Sequence, residues 1–136
     1  MSKWKHRIPR AVYLSGGGSG IGLGIAQALI AEGCSIAIFD VQMPDETLAR
    51  LQQACKAKGQ SVRFYPADVT DPQAMDLAMA NAHAQQGAAD LAFNCAGMMR
   101  NAVFTDLPYE TFERVIRVNL LGSRNFAASA LKHLAT

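Results

Sequence analysis

The sequence predicts an α/β fold, a doubly wound parallel sheet, and three observations carry that reading. Short β-rich apolar runs alternate with helical patterns from residue 10 to the end, and such alternation implies parallel strands joined by right-handed crossovers. A glycine-rich turn, Ser15-Gly16-Gly17-Gly18-Ser19-Gly20-Ile21-Gly22, joins the first run to the first helical pattern. No fixed-period repeat, linker or low-complexity stretch interrupts the series.

The elements follow in order. Residues 10–15 are a short strand, and residues 20–32 form a helix with Ile21, Ile25, Ala28 and Leu29 on one face, closed by Gly33. Residues 35–39 make a second apolar strand ending on Asp40; Pro44 then opens a helix to about Lys58, stopped by Gly59. Residues 61–65 alternate enough for a sheet edge. Asp71-Pro72 supplies an N-cap with proline at the first helical position, and that helix runs to Gln86 before Gly87. Residues 89–94 are the fourth strand. Pro108 begins one long helix whose stripe is Phe112, Val115, Ile116, Asn119, Ser123, Phe126, Ala127, Ala130, Leu131 and Leu134.

Composition narrows the class. At 136 residues, half of them apolar and 18% charged, the chain reads as one ordinary globular domain. The net charge of +2 comes from a basic arm, residues 1–9, carrying Lys3, Lys5 and Arg7 and no acid. With one aromatic, Trp4, this is a weak nucleic-acid footprint and reads as a solvated tail. Cys34, Cys55 and Cys95 are odd in number and lack C-x-x-C or zinc spacing, which suits reduced thiols and no metal. With no apolar run of signal-peptide or membrane-span length, the expected location is cytoplasmic, without membrane or nucleic-acid partners.

The glycine turn carries the chemistry. A strand that runs into a helix N-terminus aims free N–H groups and the positive helix end at an anion, and glycines let the backbone come close. The spacing G-x-x-x-G-x-G is neither G-x-G-x-x-G nor a P-loop. Asp40 follows Gly20 by about 20 residues, where a carboxylate accepts from ribose hydroxyls and repels a 2′-phosphate. No Arg or Lys follows closely to receive that phosphate, so NAD is preferred over NADP. A turn or helix cap is the alternative for Asp40.

These residues resemble the short-chain dehydrogenase/reductase family. Ser15-Gly16-x-x-Ser19-Gly20-Ile21-Gly22 matches its Thr-Gly-x-x-x-Gly-x-Gly motif, Asp40 its strand-two acid, and Asp68-Val69 its adenine-binding Asp and hydrophobic neighbour. Asn94-Cys95-Ala96-Gly97 matches its Asn-Asn-Ala-Gly with cysteine at the second place, and Asn119 its helix Asn. The resemblance implies a Rossmann-type sheet of order 3-2-1-4, truncated after about four strands and the long helix. It implies that Asn94 ties the sheet, that Ala96 and Gly97 pass under the adenosine ribose, and that Asn119 belongs to the catalytic set by holding a proton-relay water. From position alone, Asp68 could cap the helix at Pro72, Asn94 could satisfy a turn, and Asn119 could be a polar break in a helical face.

The family performs alcohol/carbonyl hydride transfer with a Ser and a Tyr-x-x-x-Lys pair. Tyr13, Tyr65 and Tyr109 are followed at i+4 by Gly17, Val69 and Glu113, so none forms that pair. Ser123, Ser129 and Lys132 lie in the helix pattern and read as structural; His6, His83 and His133 show no triad spacing. The expectation is therefore an incomplete NAD(P)-binding domain, residues 10–136, inactive by itself. In full-length form it would act on a small alcohol or carbonyl and form a homo-oligomer. The alternative is a non-catalytic nucleotide-binding or interaction module. The stretch 98–104 is the one segment expected to reach the substrate.

Overall fold

Five β-prone residues lead into the glycine turn, and in the computed structural model, which describes residues 9–135, they form β1 (Ala11–Ser15). The next elements are α1 (Gly20–Ala31), β2 (Ser35–Asp40), α2 (Asp45–Ala54) and β3 (Val62–Pro66). They continue with α3 (Pro72–Gln86), β4 (Leu91–Asn94), a 3-10 turn (Phe104–Asp106), α4 (Tyr109–Ile116), a π-helical segment (Arg117–Gly122) and α5 (Ser123–Leu131). All strand pairs are parallel, as the alternation predicts, and the order is β3-β2-β1-β4, as the family resemblance implies. Most of the basic arm lies outside the described residues.

Strand periodicity divides the core into two layers. Leu14, Ile36 and Ile38 face α1 and α2, with Ala26, Ile30 and Leu51 closing that side. Tyr13, Phe39 and Tyr65 face α3 and α5, against Met75, Met79 and Phe126. Phe39 is the hub: its ring stacks on Tyr65 at 5.6 Å and meets Tyr13 and Phe126 edge-on at 5.9 and 6.2 Å. Such pairs add about 0.5–1.5 kcal/mol each beyond area burial. The Tyr13 hydroxyl donates to Gly87 O at 2.9 Å, and burial raises its pKa, so the ring is a neutral core member.

Local signals set the element ends. Asp71 accepts from Gln73 N and Ala74 N, both at 3.0 Å, capping α3 as its sequence predicts; such a cap contributes about 1 kcal/mol. The helix expected to reach Lys58 stops at Ala54 instead. Gln60 explains the early stop: its Oε1 accepts from Lys56 N and Ala57 N, and its Nε2 donates to Ile30 O and Cys34 O. Those bonds hold residues 56–60 in a turn rather than a further helical turn. The fourth strand begins at Leu91, two residues later than expected, with Ala89 forming only an isolated bridge to Leu134.

The long final helix departs most from expectation. Its middle turn is wound i→i+5, and this wider turn inserts a residue into the 3.6 repeat. Beyond it the buried positions are Asn125, Phe126, Ser129 and Ala130, whereas Leu131, predicted to be buried, is 73% exposed. Phe112 and Ile116, upstream on the predicted stripe, are also exposed.

Candidate cofactor-binding cleft

A cleft of about 550 Å³ opens at the C-terminal ends of the four strands. The order reverses at β1, the switch point where doubly wound sheets place ligands. Every strand end contributes to the walls: Gly16, Ser19, Gly20, Ile21 and Gly22 after β1, Asp40 at the end of β2, Asp68 and Val69 after β3, Ala96 and Gly97 after β4. Ten of the residues singled out from sequence thus meet around one space.

The glycines of the turn do three different jobs. Gly16 has φ +66°, and a Cβ there would lie 2.6 Å from Ala96 N, so the turn and the β4 loop touch backbone to backbone. At Gly22 a Cβ would meet Gly16 O at 2.0 Å, which lets α1 start directly over the turn. Gly20, at φ +53°, has nothing within 4 Å of its Cβ direction. The earliest bond into α1 runs from Leu23 N to Ser19 O, so Gly20, Ile21 and Gly22 precede the ladder with their N–H groups. Ser19 makes no side-chain cap and the first turn holds no acid. Open space, free donors and the positive helix end fit a pyrophosphate.

Ser15, Asn94 and Asn119 stand behind the walls rather than in them. The buried Ser15 hydroxyl donates to Asn94 Oδ1 and accepts from Cys95 N and Ala96 N at 3.1 Å. Asn94 Nδ2 donates to Ser123 Oγ at 2.7 Å, and Ser123 in turn donates to Asn119 O at 2.6 Å. Asn119 completes the chain, its Oδ1 accepting from Met98 N and its Nδ2 donating to Met98 O, both at 2.8 Å. One polar chain therefore ties β1, β4, the π segment and the β4 loop together. Within it the Asn119 amide is spent on holding Met98. Ser123, which reads from sequence as structural within the helix pattern, has its network partner 29 positions upstream.

The two acids each combine a local and a cleft-facing role. Asp40 Oδ1 accepts from Val41 N at 2.8 Å and Oδ2 from Gly18 N at 3.1 Å, which aims the carboxylate at the glycine turn. Asp68 Oδ1 accepts from Thr70 N and Thr70 Oγ1, both at 2.8 Å, while its other oxygen has no partner among the described residues. The helix cap is Asp71, not Asp68. Val69 is buried, and its side chain fills the place that a Cβ on Gly122 would need.

Thr70, Arg114 and Arg117 line the cleft without a sequence signal, brought there by the folding of α4 and the loops, while Met98 and Arg100 come from the stretch 98–104. Cys95, the departure from the family motif, is half-buried beside Gly22, and burial pushes its thiol up, so it stays protonated. His83 and His133, which showed no relation in sequence, lie with ring centres 4.9 Å apart and planes tilted by 36°, on α3 and just past α5. No cluster able to hold a metal ion occurs among the described residues. No helix in the described residues is long and apolar enough to cross a membrane.

Comparison with known proteins agrees with this geometry. Residues 10–136 match the short chain dehydrogenase family. The chain is 30% identical to 2,3-dihydro-2,3-dihydroxybenzoate dehydrogenase of Bacillus subtilis, over 92% of its own length and 47% of that protein's. It is 36% identical to 3-hydroxyacyl-CoA dehydrogenase type-2 of Bos taurus, over 82% and 43% respectively. It therefore spans about half the length of the curated relatives it matches. Among solved structures, 3-oxoacyl-[acyl-carrier protein] reductase from Brucella melitensis in complex with NAD superposes with a TM-score of 0.82 at 29% identity, covering 93% of this chain and 49% of that one. Fold, glycine turn and family match agree: the chain belongs to the short-chain dehydrogenases, a family of oxidoreductases.

Proposed function

We propose that residues 10–136 form the NAD-binding portion of an oxidoreductase that moves a hydride between an alcohol or carbonyl substrate and a nicotinamide. The carrying observation is the open N-terminus of α1 over Gly20, with the Asp40 carboxylate aimed at the same turn from β2. The N–H groups of Gly20, Ile21 and Gly22 would hold the pyrophosphate, Asp40 the adenosine ribose hydroxyls, and the free oxygen of Asp68 the adenine amine. When bound, the nicotinamide supplies a two-electron hydride acceptor or donor. The dehydrogenase and reductase names of the relatives support this class.

Asp40 supports NAD over NADP, since a carboxylate at the ribose repels a 2′-phosphate. Calorimetry with NAD and NADP tests it. NAD should bind at least about tenfold more tightly, a difference of about 1.4 kcal/mol, and Asp40→Ser should level the two. Equal affinities in the native chain would refute the preference.

These residues hold no Tyr-x-x-x-Lys pair, and Asn119 is engaged with Met98. We therefore expect the 136 residues to bind without turnover; NADH formation on adding any secondary alcohol to chain and NAD would refute this. Asn119 then serves the reaction as a positioning residue whose own carbonyl faces Ser123. A cytoplasmic location and a homo-oligomeric whole protein complete the proposal. The second reading, a non-catalytic nucleotide module, is favoured by the sheet edge at β4. A stable monomer or defined oligomer that binds NAD without catalytic partners in the longer protein would select it.

A further inference from the structure

The cleft is polarised. Its acids, Asp40 and Asp68, end β2 and follow β3, whereas its cations, Arg100, Arg114 and Arg117, come from the β4 loop, α4 and the π segment. Arg117 is held by Glu113 at 3.0 Å. Arg100 and Arg114 have no carboxylate partner among the described residues. Arg100 donates only from Nη1 to Met99 O at 3.0 Å, so most of its guanidinium donors remain open. The backbone two residues before it is pinned at both N–H and C=O by Asn119, which fixes the loop that carries it.

The sheet order says what these donors face. Along β3-β2-β1-β4, the NAD reading puts the ribose at Asp40 on β2 and the pyrophosphate at the glycine turn after β1. The phosphates of the dinucleotide are met there by backbone donors, so its reactive end runs toward β4. Arg100 stands on that side. A cation with open donors on the β4 side of the cleft, carried on a braced loop, matches a planar anion through paired N–H···O bonds. We propose that Arg100 receives a carboxylate on the substrate, which makes the substrate a small hydroxy or oxo acid; Arg114 adds positive charge to the same wall.

This rests on the reading of the cleft as an NAD site, and the test separates the two. The chain is saturated with NADH and titrated calorimetrically with 3-hydroxybutyrate, with 3-hydroxybutyramide and with inorganic phosphate. The acid should bind at least tenfold more tightly than the amide and more tightly than phosphate. Arg100→Met should erase the preference while NADH affinity moves less than twofold, and Arg100→Lys should keep part of it; circular dichroism checks folding of both variants. Equal binding of acid and amide, binding of neither, tighter binding of phosphate, or a preference that survives Arg100→Met overturns the assignment. A tenfold loss of NADH affinity in Arg100→Met also overturns it, giving the arginine to the cofactor. Failure of the native chain to bind NADH defeats the cofactor reading itself.

Discussion

β2 and β4 both flank β1 in parallel, yet they are held by different forces. The four central residues of β2 are buried, with partners on both edges and helices over both faces. No residue of β4 is buried, and Leu91 is 38% exposed. Ala92 and Phe93 pack against the core only partly buried, and polar bonds add to them: Ser15 to Asn94, and the Asp90 carboxylate accepting from Arg10 N and Ala11 N at 2.6 and 3.2 Å. Apolar burial is non-directional and fixes β2 as part of a core. Hydrogen bonds are directional and place the β4 loop, with Ala96, Gly97 and Arg100, against the cleft.

The contrast predicts unequal costs. Phe39→Ala removes the hub ring, which is fully buried, and should destabilise by about 3–5 kcal/mol in urea unfolding. Leu91→Thr on the exposed strand should cost under about 1 kcal/mol. If the two substitutions cost the same, β4 is packed as β2 is, and the comparison fails.

The glycine turn offers a sharper contrast inside one helix. A Cβ at Gly22 would strike Gly16 O, a backbone atom that cannot yield without opening the turn. Gly22→Ala should therefore lower stability by about 1–3 kcal/mol and abolish measurable NAD binding. Gly24, in the same helix with nothing within 4 Å, should accept alanine and gain about 0.5–1 kcal/mol in thermal or urea unfolding with NAD affinity unchanged. A gain at both positions would break the view that close backbone approach shapes the site.

The same division explains what the sequence could show. The parallel sheet, the α3 cap and the glycine turn were legible because each depends on nearby residues: alternation, Asp71-Pro72, and glycines at fixed spacing; the strand order and the places of Asp68, Val69, Ala96 and Gly97 followed from the family resemblance. The wide π turn was not legible, since a helical stripe reads the same until one residue is inserted, and Leu131 was misplaced as a result. The early end of α2 escaped for another reason: Gln60 acts from the following loop through bonds to Ile30 and Cys34. Ser123 and Arg114 gain their roles only when distant elements meet, and no local pattern records that; for Arg100 the sequence marks the segment 98–104 but not the residue.

The α3–α5 contact yields the smallest effect and tests whether polar ties outside the cleft act as those of β4 do. Asp76 accepts from Lys132 Nζ at 2.8 and 2.9 Å and from the buried Ser129 hydroxyl. The hydrogen bonds from Lys132 and then Ser129 hold its carboxyl below the usual value. A depressed carboxylate stabilises the fold above its unfolded pKa, about 3.9, and loses that contribution as pH falls through the lower folded value. Asp76→Asn should therefore lower the melting temperature slightly at pH 7, and the gap to the native chain should close toward pH 3. Because the carboxylate is exposed, added salt should shrink the gap at pH 7 as well. A gap that persists unchanged at low pH would mean that Asp76 acts through packing on Ser129, with its charge idle.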